Sequence, residues 1–135
     1  MGYDFLMTRL PNGSDHFPLG LPADFYPSPS AFTDLGAIRD ALLRNGYRPN
    51  GPSGEEEHEY VWDTPDGGGL YVRLSGESIY VDTHAGWRYV LETYKCLRAL
   101  YADLVLIDPQ QMTIHDETSY STFVRESSAA LRAKE

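Results

Sequence analysis

The sequence predicts an α+β fold, a single domain in which an antiparallel sheet of about five to six strands carries three helices. Three observations lead there. Apolar and polar residues alternate through much of 59–82. Apolar residues recur at helical spacing in three other segments. The two kinds of segment follow the order β-α-β-β-β-α-β-β-α, without the strict strand–helix alternation of a parallel sheet. A chain of 135 residues with 41% hydrophobic and 13% aromatic content suits one folded domain over 1–135. At this size roughly two-thirds of the unfolded surface is buried, enough for a core without staples.

The first strand is expected over 3–7 (YDFLM). The segment 10–30 holds Pro11, Pro18, Pro22, Pro27 and Pro29, a density that forbids helix interiors and central strands. It also holds Phe17, Leu19, Leu21, Phe25 and Tyr26, which a free linker would not keep, so an ordered loop is expected. That loop is either a functional surface or a cover for one edge of the core. A helix then begins near Ser30 or Thr33. Phe32, Leu35, Ile38 and Leu42 form its stripe, Leu43 widens it, and Asn45-Gly46 ends it. Tyr47 can pack back on the last turn.

A three-stranded meander follows. Its first strand is 59–64, its turn is 65–69, and Leu70, Val72 and Leu74 alternate with Tyr71, Arg73 and Ser75 in the second. Ser75-Gly76-Glu77 turns the chain into a third strand over 78–82, with Ile79 and Val81 on one face. The apolar face needs a cover, and the longest helix (86–102) supplies Trp87, Val90, Leu91, Tyr94, Leu97, Leu100 and Tyr101. Strands are expected over 104–107 and 112–115. The last helix, 119–133, has Tyr120, Phe123, Val124, Ser127 and Leu131 inward.

Charge and motifs narrow the function. Acids outnumber Lys and Arg by 20 to 11, for a net charge of −9, which speaks against nucleic acid and anionic membranes as partners. The single cysteine, Cys96, excludes an internal disulfide and a cysteine-based zinc site, and within a helix it reads as an inert thiol. The opening Met1-Gly2-Tyr3-Asp4 carries no basic region followed by an apolar run, and no apolar stretch is long enough to span a membrane. A soluble, cytoplasmic protein without cofactors is expected. No G-x-S-x-G elbow occurs, and Gly67-Gly68-Gly69 reads as a hairpin turn, since neither a lysine nor a helix follows as a phosphate cradle requires.

Two pairings of histidine with carboxylate remain. Asp82-Thr83-His84 lies where a strand meets the long helix, and His115-Asp116-Glu117 precedes the last helix. If they converged, together with Asp108, they could serve a small metal-binding or hydrolytic enzyme, although no metal-ligand spacing such as H-E-x-x-H is present. His16 and His58 read as exposed loop residues.

The most informative segment lies between Arg48 and Arg73. It has no Lys or Arg but holds Glu55, Glu56, Glu57, Glu59, Asp63 and Asp66, with Tyr60, Trp62 and Tyr71 interleaved. Carboxylates steer a basic partner and aromatics anchor it, so the segment reads either as a partner-binding surface or as a plain solvated face. The loop around Phe25 and Tyr26 is a second candidate surface, and exposed aromatics also suit a homodimer.

The opening YDFLM strand, a helix ending in Arg44-Asn45-Gly46-Tyr47, a hairpin into Ile79-Tyr80-Val81, and a long aromatic helix leading to Leu106-Ile107-Asp108-Pro109-Gln110 resemble small bacterial immunity proteins of secreted polymorphic toxins. The resemblance covers most of the chain from Tyr3 to Gln110. It implies a non-enzymatic, antitoxin-like protein that binds a cognate protein toxin with a basic cleft and blocks its active site or substrate path. It implies a structural turn at Asp108-Pro109-Gln110 and designates no toxin-contacting residue.

Overall fold

The computed structural model describes residues 2–10, 16–27, 31–50 and 58–133. Among them the chain runs β1 (Tyr3–Arg9), β2 (Leu19–Gly20), α1 (Leu35–Arg44), β3 (Arg48–Pro49), β4 (Glu59–Trp62), β5 (Leu70–Leu74), β6 (Ile79–Thr83), α2 (Trp87–Arg98), β7 (Leu104–Asp108), β8 (Thr113–His115) and α3 (Glu117–Ala133). The α+β class and the antiparallel sheet are as the sequence predicts. The sheet has eight strands where five to six are expected, in the order β2-β8-β7-β1-β6-β5-β4-β3. The additions, β2 and β3, are two-residue edge pairings, too short to show any alternation.

β1 lies mid-sheet, paired antiparallel with β6 on one side and β7 on the other. Its alternation sends Phe5 and Met7 to one face and Asp4, Leu6 and Thr8 to the other. On the first face Phe5 lines up with Val81, Val72 and Tyr60, and Met7 with Ile79 and Leu74 and, on its other side, with Leu106. These side chains form the main core with Ile38 and Leu42 of α1, Val90, Tyr94 and Leu97 of α2, and Tyr120 of α3.

Local chemistry sets the helix bounds. α1 starts later than Ser30 or Thr33 because Asp34 caps it, its Oδ1 accepting from the Ala37 N–H at 3.0 Å. Phe32 therefore precedes the helix and is buried edge-on against Tyr101 (5.4 Å between centroids). Leu43 faces solvent and does not widen the stripe. The helix closes at Gly46, whose φ of +95° needs glycine, and the Tyr47 N–H then returns to the Leu42 carbonyl at 3.1 Å. α2 ends at Arg98, four residues before the expected end, which leaves Leu100 exposed. α3 opens with a reciprocal cap: Ser119 N–H donates to Asp116 Oδ1 at 2.8 Å, and Asp116 N–H to Ser119 Oγ at 3.0 Å. Tyr120 is buried, with Phe123 and Val124 packed against the core, whereas the Leu131 side chain lies outside the described residues.

The second face of the sheet is divided. Across β7, β8 and β2 it carries Val105, Ile107 and Ile114, covered by Leu10, Phe17, Leu19, Leu21 and Phe25 of the proline-rich segment. The described part of that segment is thus a lid over half of one sheet face. The other half, over β6, β5 and β4, lies opposite the helices.

Leu106 is fully buried and Leu100 is 39% exposed. Leu106→Ala is expected to lower unfolding free energy by about 2–5 kcal/mol through lost burial and a residual cavity. Leu100→Ala should change it by no more than about 0.5 kcal/mol. Urea titrations of the two variants check the contrast.

Candidate partner-binding face

The half of the second face over β6, β5 and β4, open among the described residues, can be built directly from strand register. One cross-strand row runs Leu6–Tyr80–Arg73–Glu59, and its neighbour runs Asp4–Asp82–Tyr71–Val61–Arg48. The pairing of β1 with β6 thus sets two carboxylates, Asp4 and Asp82, directly opposite each other. The Tyr80 hydroxyl donates to Asp4 Oδ1 at 2.8 Å, and the Tyr71 hydroxyl donates to Glu59 Oε1. The two rings meet edge-on at 6.4 Å, and the Arg73 guanidinium lies 5.2 Å from the Tyr80 ring centroid. The face is therefore a lattice of tyrosines held at their hydroxyls by carboxylates. Its chemistry suits cations: Tyr80 already accepts one guanidinium on its ring.

The electrostatics reflect this. The hydrogen bond to the Asp4 carboxylate, followed by burial and the nearby Asp4 charge, pushes the Tyr80 hydroxyl up to about 12. At neutral pH it is a fixed donor. Asp82 Oδ1 is buried without a hydrogen-bond partner among the described residues, beneath Gly2. A Cβ at Gly2 would lie 1.9 Å from that oxygen, so a larger residue there would have to displace the Asp82 carboxylate. His84 Nε2 stands 3.7 Å from Asp82 Oδ2 at the exposed rim.

Strand alternation divides the residues that the sequence groups together. Glu59 reaches the open face and Asp63 lies at its exposed edge, 3.4 Å from Arg48. Tyr60 and Trp62 point the other way. Tyr60 is 1% exposed in the core, and Trp62 packs against Tyr47 and Tyr89 at 5.6 and 5.5 Å. Neither can anchor a partner on the acidic side. Asp66 is engaged in the fold: it accepts from Thr64 Oγ1 (2.5 Å), Gly68 N–H (3.0 Å) and Gly86 N–H (2.9 Å), tying the hairpin turn to the start of α2. Those donors, Thr64 foremost, hold its carboxyl below the usual range. Glu55, Glu56 and Glu57 lie outside the described residues. Phe25 is half-buried in the lid and Tyr26 is 87% exposed beside it. Tyr80 and Asp4 are missing from the sequence-based set. The signal for Tyr80 is the polar half of the Ile79/Val81 alternation, whereas Asp4 joins only through pairing across 78 positions of the chain.

The two histidine pairings do not meet. Asp82 is on the open face. His115 lies opposite Leu106 on the helix face, against the Tyr120 and Phe123 rings at 5.5 and 5.8 Å. Its Nδ1 is 3.0 Å from Ser119 Oγ, and that hydroxyl is already committed to the α3 cap. Asp116 is the cap itself. Asp108 is buried and accepts from the Tyr3 hydroxyl (2.8 Å) and from the Gln110 and Gln111 N–H groups (3.1 Å each), which makes Asp108-Pro109-Gln110 a structural turn. No group of three His, Cys, Asp or Glu side chains among the described residues could hold a metal ion. Among them, too, no helix is long and apolar enough to cross a membrane.

No family model, no curated protein and no solved structure matches this chain.

Burial lowers the His115 pKa below its ordinary 6.5, outweighing the opposing pull of Asp108 and Asp116. The folded state therefore favours neutral imidazole, and the unfolded chain takes up the proton first on acidification. The stability contributed this way is fully present above pH 6.5 and is lost as pH falls below it. His115→Gln should flatten the fall in unfolding free energy between about pH 6.5 and pH 5. Urea midpoints measured across that window would contradict this if both proteins fell in parallel.

Proposed function

We propose that the chain is a non-catalytic inhibitor of the immunity type that binds and occludes a basic protein toxin through the open face of its sheet. The observation that carries this reading is the Asp4–Asp82 pair. Like charges directly opposite on neighbouring strands oppose sheet formation, and the Tyr80 hydrogen bond to Asp4 offsets that cost only on one side of the pair. A cation brought by a partner turns that cost into affinity. Tyr71 and Tyr80 stand beside the pair as rigid aromatic anchors whose hydroxyls are already oriented. The chain-wide charge of −9 adds long-range steering, which can accelerate association by about 10–10³ at low salt. The three glutamates at 55–57 precede β4 in sequence and add to the same sign.

The test neutralises the three carboxylates of the two rows while keeping the shape of the face, with the triple variant Asp4→Asn, Glu59→Gln, Asp82→Asn. The remaining carbonyl oxygens still accept from the tyrosines. Its unfolding free energy should be unchanged or higher by up to about 1 kcal/mol, because the like-charge pair is gone. Capture of the partner from source-cell lysate at low salt should fall about tenfold or more, and its release with rising salt should lose steepness. A triple variant that holds the same partner with the same salt profile would remove this face from the account.

A further inference from the structure

Resting on that reading, we propose that the basic partner also inserts one apolar side chain, flanked by Lys or Arg, into a groove where the open face meets the lid. Leu6, Leu21, Phe25, Ile107, Pro109 and Met112 line it, and it encloses about 210 Å³. That is below the roughly 300–1,000 Å³ of small-molecule sites and suits a single leucine- or methionine-sized side chain. Its walls are joined by the hydrogen bond from Leu21 N–H to the Met112 carbonyl (2.8 Å), so the groove exists before anything enters it. Its rim leaves apolar surface in water: Met112 is 50% exposed, and Tyr26 stands beside Phe25. Methionine adapts its shape to what it meets, which favours it at such contacts.

Charge and continuity identify the occupant. Leu6 belongs both to the groove and to the row that continues through Tyr80 and Arg73. Asp4 lies two residues away on the same side of β1, about 6.6 Å along the strand. An arginine one or two positions from the inserted side chain therefore reaches Asp4 while the anchor fills the groove. A second copy of this acidic chain would bring like charge to the same place.

The probe is a blocked peptide, arginine-glycine-leucine-glycine-arginine, compared with its counterpart carrying serine in place of leucine. Each is titrated into the full ¹⁵N-labelled chain at low salt, and amide shifts are followed. The leucine peptide should bind about tenfold or more tightly than the serine peptide, with shifts at Leu6, Ile107 and Met112 as well as Tyr80. Ala23 also lines the groove and is exposed, so Ala23→Leu, which fills the groove from that wall, should abolish the difference. Equal binding of both peptides, with shifts confined to Tyr71, Tyr80 and their neighbours, would overturn the anchor and leave the acidic face standing. No binding by either would overturn both. Shifts at Leu6 and Met112 on concentrating the protein alone would assign the groove to a second copy and overturn the proposal.

Discussion

The pairing of β1 on both edges is the constraint on which the rest of the structure depends. β6 and β7 follow one another in the chain through α2, yet in the sheet they do not touch: β1, from the start of the chain, lies between them and pairs with both. Its side chains fix both faces at once. Phe5 and Met7 seat the helices, Leu6 closes the apolar floor under the lid, and Asp4 begins the charged lattice. A one-residue slip would drive Asp4 and Leu6 into the helix interface and expose Phe5 and Met7. Because Phe5 and Met7 are both fully buried, the register is strongly enforced. The position of the acidic face is thus a consequence of the core.

That dependence explains how the protein can carry an unfavourable charge arrangement. Asp4 and Asp82 oppose each other in the middle of the sheet, where backbone pairing and the core behind them hold the strands together. Repulsion of this kind, of order 0.2–1 kcal/mol, is small beside the burial of a single core side chain. Tyr80 softens it further by donating to Asp4. The lattice is therefore stable while retaining a preference for added positive charge.

Much of the fold is legible in the sequence because it is written in local signals. The meander follows from alternation at Leu70, Val72 and Leu74, the close of α1 from Asn45-Gly46, and the cover of the sheet from the Val90, Tyr94 and Leu97 stripe. The helix starts at Asp34 and Asp116 were open to the same reading, since each is a capping residue followed by helical sequence. The candidate site was legible only in part. Glu59, Asp63 and Tyr71 belong to the acidic segment that the sequence singles out. Tyr60 and Trp62 share that segment but follow the inward phase of the strand, and period-two alternation separates them from the acids. Asp4 and Tyr80 depend on long-range register, which no local pattern records. The separation of His115 from Asp82 is of the same kind: they lie on opposite faces of one sheet.

The central claim is that the open face of β6, β5 and β4 is where a basic protein binds. It is tested most directly by placing a photo-crosslinking amino acid at Arg73, at the centre of that face, and in a separate copy at Glu92, exposed on α2 across the sheet. Irradiation in the source cell should yield one discrete adduct from position 73, with a partner rich in Lys and Arg, and none from position 92. An adduct from position 92 with none from position 73 would place the partner on the helix side and contradict the account.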